Sequence, residues 1–402
     1  MFPVLLLCLL SGVLVGIATG LIPGFHPNTV FTLVAMSVFL FQGLGNEALL
    51  VFAVSLAVAN TFVDFIPSIL FGAPEEDSIL SILPGHRMLL NGRGYEAVFL
   101  TVVGGLGSMV LVVTGLPFLF FILPIVYGAI RPIIHIVLIA VIIWMLLFEK
   151  GKRKKALLVL VMSGLFGIIA LNTNSQTLLF PSLTGMFGMS ALVVSMYSRV
   201  NIPKQTHNVN IKCDWFKGSV AGWLAGVFSA LLPGIGSSQA GVIASQILRA
   251  DIKEFMIALG GINTSNIFFT FMCLYLIGKT RSGAAWFISQ VFGEISMRLM
   301  FLVIISSIAA SLLSAAATLY IAKRISIRMA NINYSRLTFM VMIFLVLTIT
   351  LQTGIVGLIT MICGLSIGLV TISFGVRRAY MMGFLLIPTI VYFSGLSGYM
   401  FI

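Results

Sequence analysis

Charged side chains make up only 8% of the sequence, about a third of the share found in soluble globular domains. That scarcity excludes a water-soluble globule, and no soluble-looking stretch longer than about 25 residues separates the apolar runs, so no second, aqueous domain is expected. Cysteines are few: Cys8, Cys213, Cys273 and Cys363 stand far apart, with neither disulfide nor metal-ligand spacing. No transition-metal site and no other cofactor is expected. A Walker-type phosphate loop is lacking, which excludes ATP as the energy source. The four histidines, at 26, 86, 135 and 207, form no motif with a nucleophile or a paired carboxylate, so no enzyme is expected. The opening "MFPVLLLCLLSG" has no basic n-region and reads as retained membrane structure.

What is abundant is apolar. Hydrophobic residues reach 59% with a mean hydropathy of +1.14, and apolar runs of about 16 to 27 residues recur along the whole chain. This is an all-α polytopic membrane protein, expected in the cytoplasmic membrane of a prokaryote. The formal net charge of +12 gathers in short loops between spans, a mark of orientation in the membrane and not of nucleic-acid binding.

Two stretches interrupt the apolar pattern alike: "GLIPGFHPNTV" (20–30) and "ALLPGIGSSQA" (230–240), with Pro23 and Pro233 separated by 210 residues. "ANT" (59–61) and "INT" (262–264) lie 203 apart, "SGLFG" (163–167) and "CGLSIG" (363–368) 200 apart, "FPS" at 180 and "IPT" at 387 207 apart. Four matches in order at a nearly constant offset predict two halves, 1–207 and 208–402. Charge predicts that the halves are inverted. "EKGKRKK" (149–155) carries five basic residues where its counterpart "QTGIV" (352–356) has none; elsewhere the bias reverses, with Arg377 and Arg378 opposite the uncharged "LNTNSQT" (171–177). The expected path has ten full spans, at 48–71, 97–123, 132–148, 156–171, 178–198, 255–278, 299–322, 337–351, 357–374 and 379–397. Two broken or re-entrant hairpins, 4–43 and 218–248, open the halves. This path leaves only Arg131, Lys279, Arg281 and Arg298 of the Lys and Arg outside the cell.

The Pro-Gly pairs free backbone groups at membrane depth, which is tolerated only inside protein or beside a water-filled cavity. Pro23, Gly24, His26, Asn28 and Thr29 in one hairpin, and Pro233, Gly234, Gly236, Ser237 and Ser238 in the other, are therefore candidate substrate ligands. A returning helix N-terminus there suits an anion. Asn60, Thr61 and Asp64 share one turn of an apolar span. A carboxylate at that depth costs at least ~2.5 kcal/mol and by default marks an ion or proton site. Asn263, Thr264 and Asn266 form the corresponding turn of the second half without a carboxylate. Such oxygen-rich, weakly charged turns suit Na+ or a proton as coupling ion.

The one long charged loop of the first half, "GAPEEDSILSILPGHRMLLNGRGYEAV" (72–98), offers Glu75, Glu76, Asp77, Arg87 and Arg93 as candidates for a salt-bridged gate, beside the plainer reading of a solvated connector. With the first hairpin and "LLPGIG" (231–236), this loop resembles the large membrane subunit of the tripartite tricarboxylate transporters and its stand-alone archaeal relatives. That resemblance covers the first 110 residues well and the second half thinly. It implies cation-coupled uptake of carboxylates, in the bacterial systems together with a small membrane subunit and an extracytoplasmic binding protein. The chain is about a fifth shorter than the bacterial subunits and carries "GGINTSN" (260–266) where they have an acidic, Asn-rich stretch, so the partner subunits and the substrate stay open, as does a homodimer. The expected function is secondary active uptake of a small organic anion such as a di- or tricarboxylate by alternating access. The alternative is a carrier or flippase for another anion such as a phosphorylated lipid.

Overall fold

The computed structural model describes residues 2–22, 27, 30–31, 34, 45–72, 82–147, 149, 151–197, 203–209, 213–231, 237, 240–241, 244, 251–280, 282–329 and 334–395. Within them every regular element is a helix, as an apolar chain in lipid requires, because only a helix pairs its backbone groups within its own segment. In chain order these are α1 (Phe2–Leu21), α2 (Asn46–Val63, followed by a π-helical turn Pro67–Phe71), α3 (Ile82–Leu90), α4 (Gly94–Ile130), α5 (Ile134–Leu147), α6 (Arg153–Leu183), α7 (Ser190–Tyr197), α8 (Trp215–Leu231), α9 (Ile252–Ile277), α10 (Gly283–Phe292), α11 (Met297–Met329), α12 (Tyr334–Phe374) and α13 (Gly383–Phe393).

Seven segments of the described residues are long and apolar enough to cross a bilayer, and shorter apolar helices accompany them. The chain is thus an all-α polytopic membrane protein. Two of the seven are interrupted where the sequence predicts a passage between spans. Arg131–Ile133 tightens into a 3-10 turn around Pro132, and α12 breaks at Gly354, whose φ of 62° and ψ of −151° lie in a region closed to residues with a Cβ. Both hairpin tips fall outside the described residues. Their outer arms are α1 and α8, and residues 27, 30–31 and 34, and 237, 240–241 and 244, are helical.

Helices α2 and α9 form the centre. The apolar windows of Asn46–Phe71 and Ile252–Ile277 are each 89% buried, against 28–44% for the other five long spans. Small residues let neighbours approach them closely. Gly12, Gly16 and Gly20 of α1 face Phe52, Leu56 and Val63 of α2, and a Cβ on Gly16 would lie 2.5 Å from the Leu56 carbonyl oxygen. Gly218, Gly222 and Gly226 of α8 face α9 in the same manner, and a Cβ on Gly222 would lie 2.7 Å from the Ala258 carbonyl oxygen. Residue numbers rise together along both pairs, so α1 runs parallel to α2, and α8 to α9.

Each central helix also packs against a helix of the other half, α2 on α11 and α9 on α4. Backbones touch where α9 crosses α4: a Cβ on Gly104 would strike the Ile257 carbonyl, and one on Gly260 the Thr101 carbonyl. Leu70, at the end of the π-turn, lies beside Gly94 at the start of α4, and Lys253, in the first turn of α9, reaches Glu96 of α4. The α2 segment therefore ends where α9 begins, and the two run in opposite directions. A second cluster, built from α5, α6, α12 and α13, closes around Leu138, Val159, Tyr380 and Phe384.

Candidate functional site

The polar turn of α2 sits at the end of a long apolar helix. Val63 is its last regular residue, and Asp64 keeps helical angles (φ −59°, ψ −21°) while its N–H donates to the Asn60 carbonyl at 3.0 Å. Pro67 has no N–H to continue the ladder, and the chain widens there into the π-turn Pro67–Phe71. A carboxylate is thus held at a place where the helix loosens, and Asp64 is only 2% exposed.

Its partner comes from the other half of the chain. Asn263 Nδ2 donates to Asp64 Oδ2 at 2.9 Å and lies 3.4 Å from the Thr61 carbonyl oxygen. The two polar turns that the sequence singles out separately therefore form one buried cluster. Thr264, 1% exposed, has no hydrogen-bond partner for its hydroxyl among the described residues, and the Thr61 hydroxyl folds back onto the Val58 carbonyl at 2.8 Å, leaving the Thr61 carbonyl facing Asn263. Carboxylate, carbonyl and hydroxyl oxygens are the donors that hard cations take. Among the described residues no group of His, Cys, Asp and Glu is arranged for a metal ion.

Around this cluster the same contact occurs twice. Asn60 Nδ2 donates to Thr19 Oγ1 of α1 at 3.3 Å, and the Ser229 hydroxyl of α8 bonds Asn266 Oδ1 at 3.1 Å. Thr19 and Ser229 each stand four residues before a Pro-Gly pair. By these contacts the counterpart of Asn60 is Asn266, 206 residues on, one helical turn beyond the Asn263 to which the "ANT" and "INT" match pointed. Asn266 also donates to Ser237 at 3.2 Å, which ties the returning arm of the second hairpin to α9. Thr19 and Ser229 escaped the reading of the sequence, although their common offset of 210 from each other, the same as that of Pro23 and Pro233, marks them.

Of the expected substrate ligands, Ser237 is buried at this junction, whereas Pro23, Gly24, His26, Asn28, Thr29, Pro233, Gly234, Gly236 and Ser238 lie outside the described residues. So do Glu75, Glu76 and Asp77 of the expected gate. Arg87 is exposed on α3. Arg93 pairs with Glu96: its Nε and NH2 donate to the two carboxylate oxygens at 2.7 and 2.8 Å, and this hydrogen-bonded pairing holds the guanidinium pKa above its ordinary value.

A sequence profile of the tripartite tricarboxylate transporter TctA family matches residues 6–383. The chain is 31% identical to an uncharacterized protein of Methanocaldococcus jannaschii, over 96% of this chain and 98% of that protein. No solved structure matches.

Proposed function

The chain belongs to the tripartite tricarboxylate transporter TctA family, and from that premise we propose that it is a secondary active transporter taking up a small organic anion, a di- or tricarboxylate, together with Na+ or a proton by alternating access. The family makes it an integral membrane transporter for tricarboxylate-type substrates. The observation that carries the finer reading is the bond between Asp64 and Asn263, which joins the polar turns of the two most buried spans, one from each half.

Coupling follows from the charge. A carboxylate substrate brought near Asp64 is repelled, strongly so in a medium of low dielectric. A cation bound by the Asp64 carboxylate, the Thr61 carbonyl and the α9 turn cancels that repulsion, so each ligand favours binding of the other. The hairpin tips supply the anion site in this reading, with Asn60 and Asn266 bracing the arms of the hairpins against α2 and α9. In the tripartite arrangement a small membrane subunit and an extracytoplasmic binding protein are the partners, and co-purification from the native membrane, that of a prokaryotic cell, tests for them.

Thermal unfolding of the purified protein with di- and tricarboxylates, in Na+ and in choline at several pH values, tests the function. A carboxylate should raise the midpoint more when the coupling cation is present, because a ligand stabilises the state that binds it. Absence of any carboxylate effect under every condition sinks the reading. Inversion of the halves has its own test. Cysteines at positions 153 and 354 occupy corresponding loops, and an impermeant maleimide should reach 153 from the cytoplasmic side and 354 from outside; labelling from a single side rejects inversion.

A further inference from the structure

Among the described residues three ion pairs join the halves of the chain: Arg377–Glu149 beside the second cluster, and one at each end of the central helices. At one end Glu96, 2% exposed, accepts both hydrogen bonds from Arg93 and lies 3.1 Å from Lys253 Nζ. At the other, Arg298 NH2 lies 3.0 Å from Glu47 Oε1, and both side chains are reached by solvent, at 72% and 27%. Each of these end pairs links the first turns of two helices packed side by side, Lys253 on α9 with Glu96 on α4, and Glu47 on α2 with Arg298 on α11. Exchanging α2 for α9 and α4 for α11 turns one pair into the other with its charges reversed. From Glu47 to Leu70, beside the start of α4, the α2 segment spans ~35 Å at helical rise, about the thickness of a bilayer, and Asp64 lies between the ends.

We infer that the two end pairs are alternating locks of the transport cycle. The Glu96 cluster holds one end shut by joining α4 to α9, and the Glu47–Arg298 pair holds the other by joining α2 to α11; both are formed in this structure, and in the cycle one parts at a time. The structure has the two in different conditions. A buried carboxylate with two cationic partners resists the loss of one of them, whereas a hydrated pair is only weakly held; both ends are paired here, and the Glu47 end is the one readier to open. Positive loops place the Glu96 end in the cytoplasm. The inference rests on the alternating-access reading above and extends it to residues that contact neither substrate nor cation.

Reporter chemistry separates the two. In protein whose four cysteines are replaced by alanine, Thr61→Cys puts a thiol beside the central cluster, and a small impermeant methanethiosulfonate is applied to one face or the other of oriented vesicles. A reporter that reacts from one face only, or from neither, rejects alternating access itself. With reaction from both faces, Glu96→Gln should speed labelling from the Glu96 end by about fivefold or more, the scale of a coupling between sites, and slow it from the other end. Arg298→Gln, at an exposed position where folding is not at stake, should shift both rates in the opposite sense. Shifts in the same sense, or rates unchanged in Arg298→Gln, overturn the assignment, because a pair that merely stabilises the fold has no reason to favour one face.

Discussion

Asp64→Asn is expected to cost about 100-fold in cation-driven uptake, in the upper part of the range for coupled sites, while the protein still inserts and purifies. The substitution keeps the shape, one carbonyl oxygen and room for an amide contact with Asn263, and it removes the charge that a cation would neutralise. Na+-dependent stabilisation of the purified protein should shrink with it. A carboxylate that served only to hold Asn263 would behave otherwise: the variant would lose the same stability with and without Na+, and uptake per folded molecule would be kept. An undiminished cation response in Asp64→Asn rejects the coupling role and turns attention to the α9 turn, Asn263, Thr264 and Asn266.

A large effect on stability belongs to Gly260→Val. At this position α9 lies backbone to backbone against Thr101 of α4, and a side chain there strikes a carbonyl group. A clash with a flexible side-chain tip can relax, but one with a helix backbone moves the whole helix. Overpacking of this kind should cost about 3 kcal/mol or more, read as a lower unfolding midpoint and a loss of monodisperse protein. Gly128→Ala is the control, since nothing lies within 4 Å of a Cβ there, and a methyl group at that helical position should be neutral or slightly stabilising. Equal behaviour of the two variants would mean that the approach of α4 and α9 is not needed for the fold.

Much of the fold is legible in the sequence because lipid imposes a length and a polarity on every span. The break at Gly354 lies within the passage expected between 351 and 357, and the turn at Arg131–Ile133 at the end of the one expected between 123 and 132. By contrast, α6 runs unbroken from Arg153 to Leu183 through the passage expected between 171 and 178, because nothing in "LNTNSQT" denies the backbone a helical hydrogen bond. The polar turns around Asp64 and Asn263 stand out for a similar reason: an amide or a carboxylate in an apolar run is costly enough to be conspicuous. Partnership across the halves is not legible. Glu96 and Lys253 are 157 residues apart, and nothing local in either segment points to the other. The sequence singles out Arg93 beside the acidic residues 75–77, which lie outside the described residues, whereas nothing in it marks the bonds that Arg93 makes to Glu96 on its own turn. The match pairs Asn60 with Asn263, whereas the contacts with α1 and α8 make Asn60 most like Asn266, an amide on the same face one turn on.

The bond between Asp64 and Asn263 also bears on how the protein is made. These residues are 199 positions apart, so at ~5–20 residues per second a ribosome completes α9 some ten to forty seconds after α2 has been delivered. During that interval the carboxylate has no Asn263 to meet, and Glu96 has no Lys253. The first half waits in the membrane without these two contacts, although Glu96 already has Arg93 on its own turn, and assembly of the centre is therefore a late event in biosynthesis. A chain halted after residue 207 lacks the α9 surface against which α2 and α4 pack, so the first half alone is expected to be less stable than the whole chain.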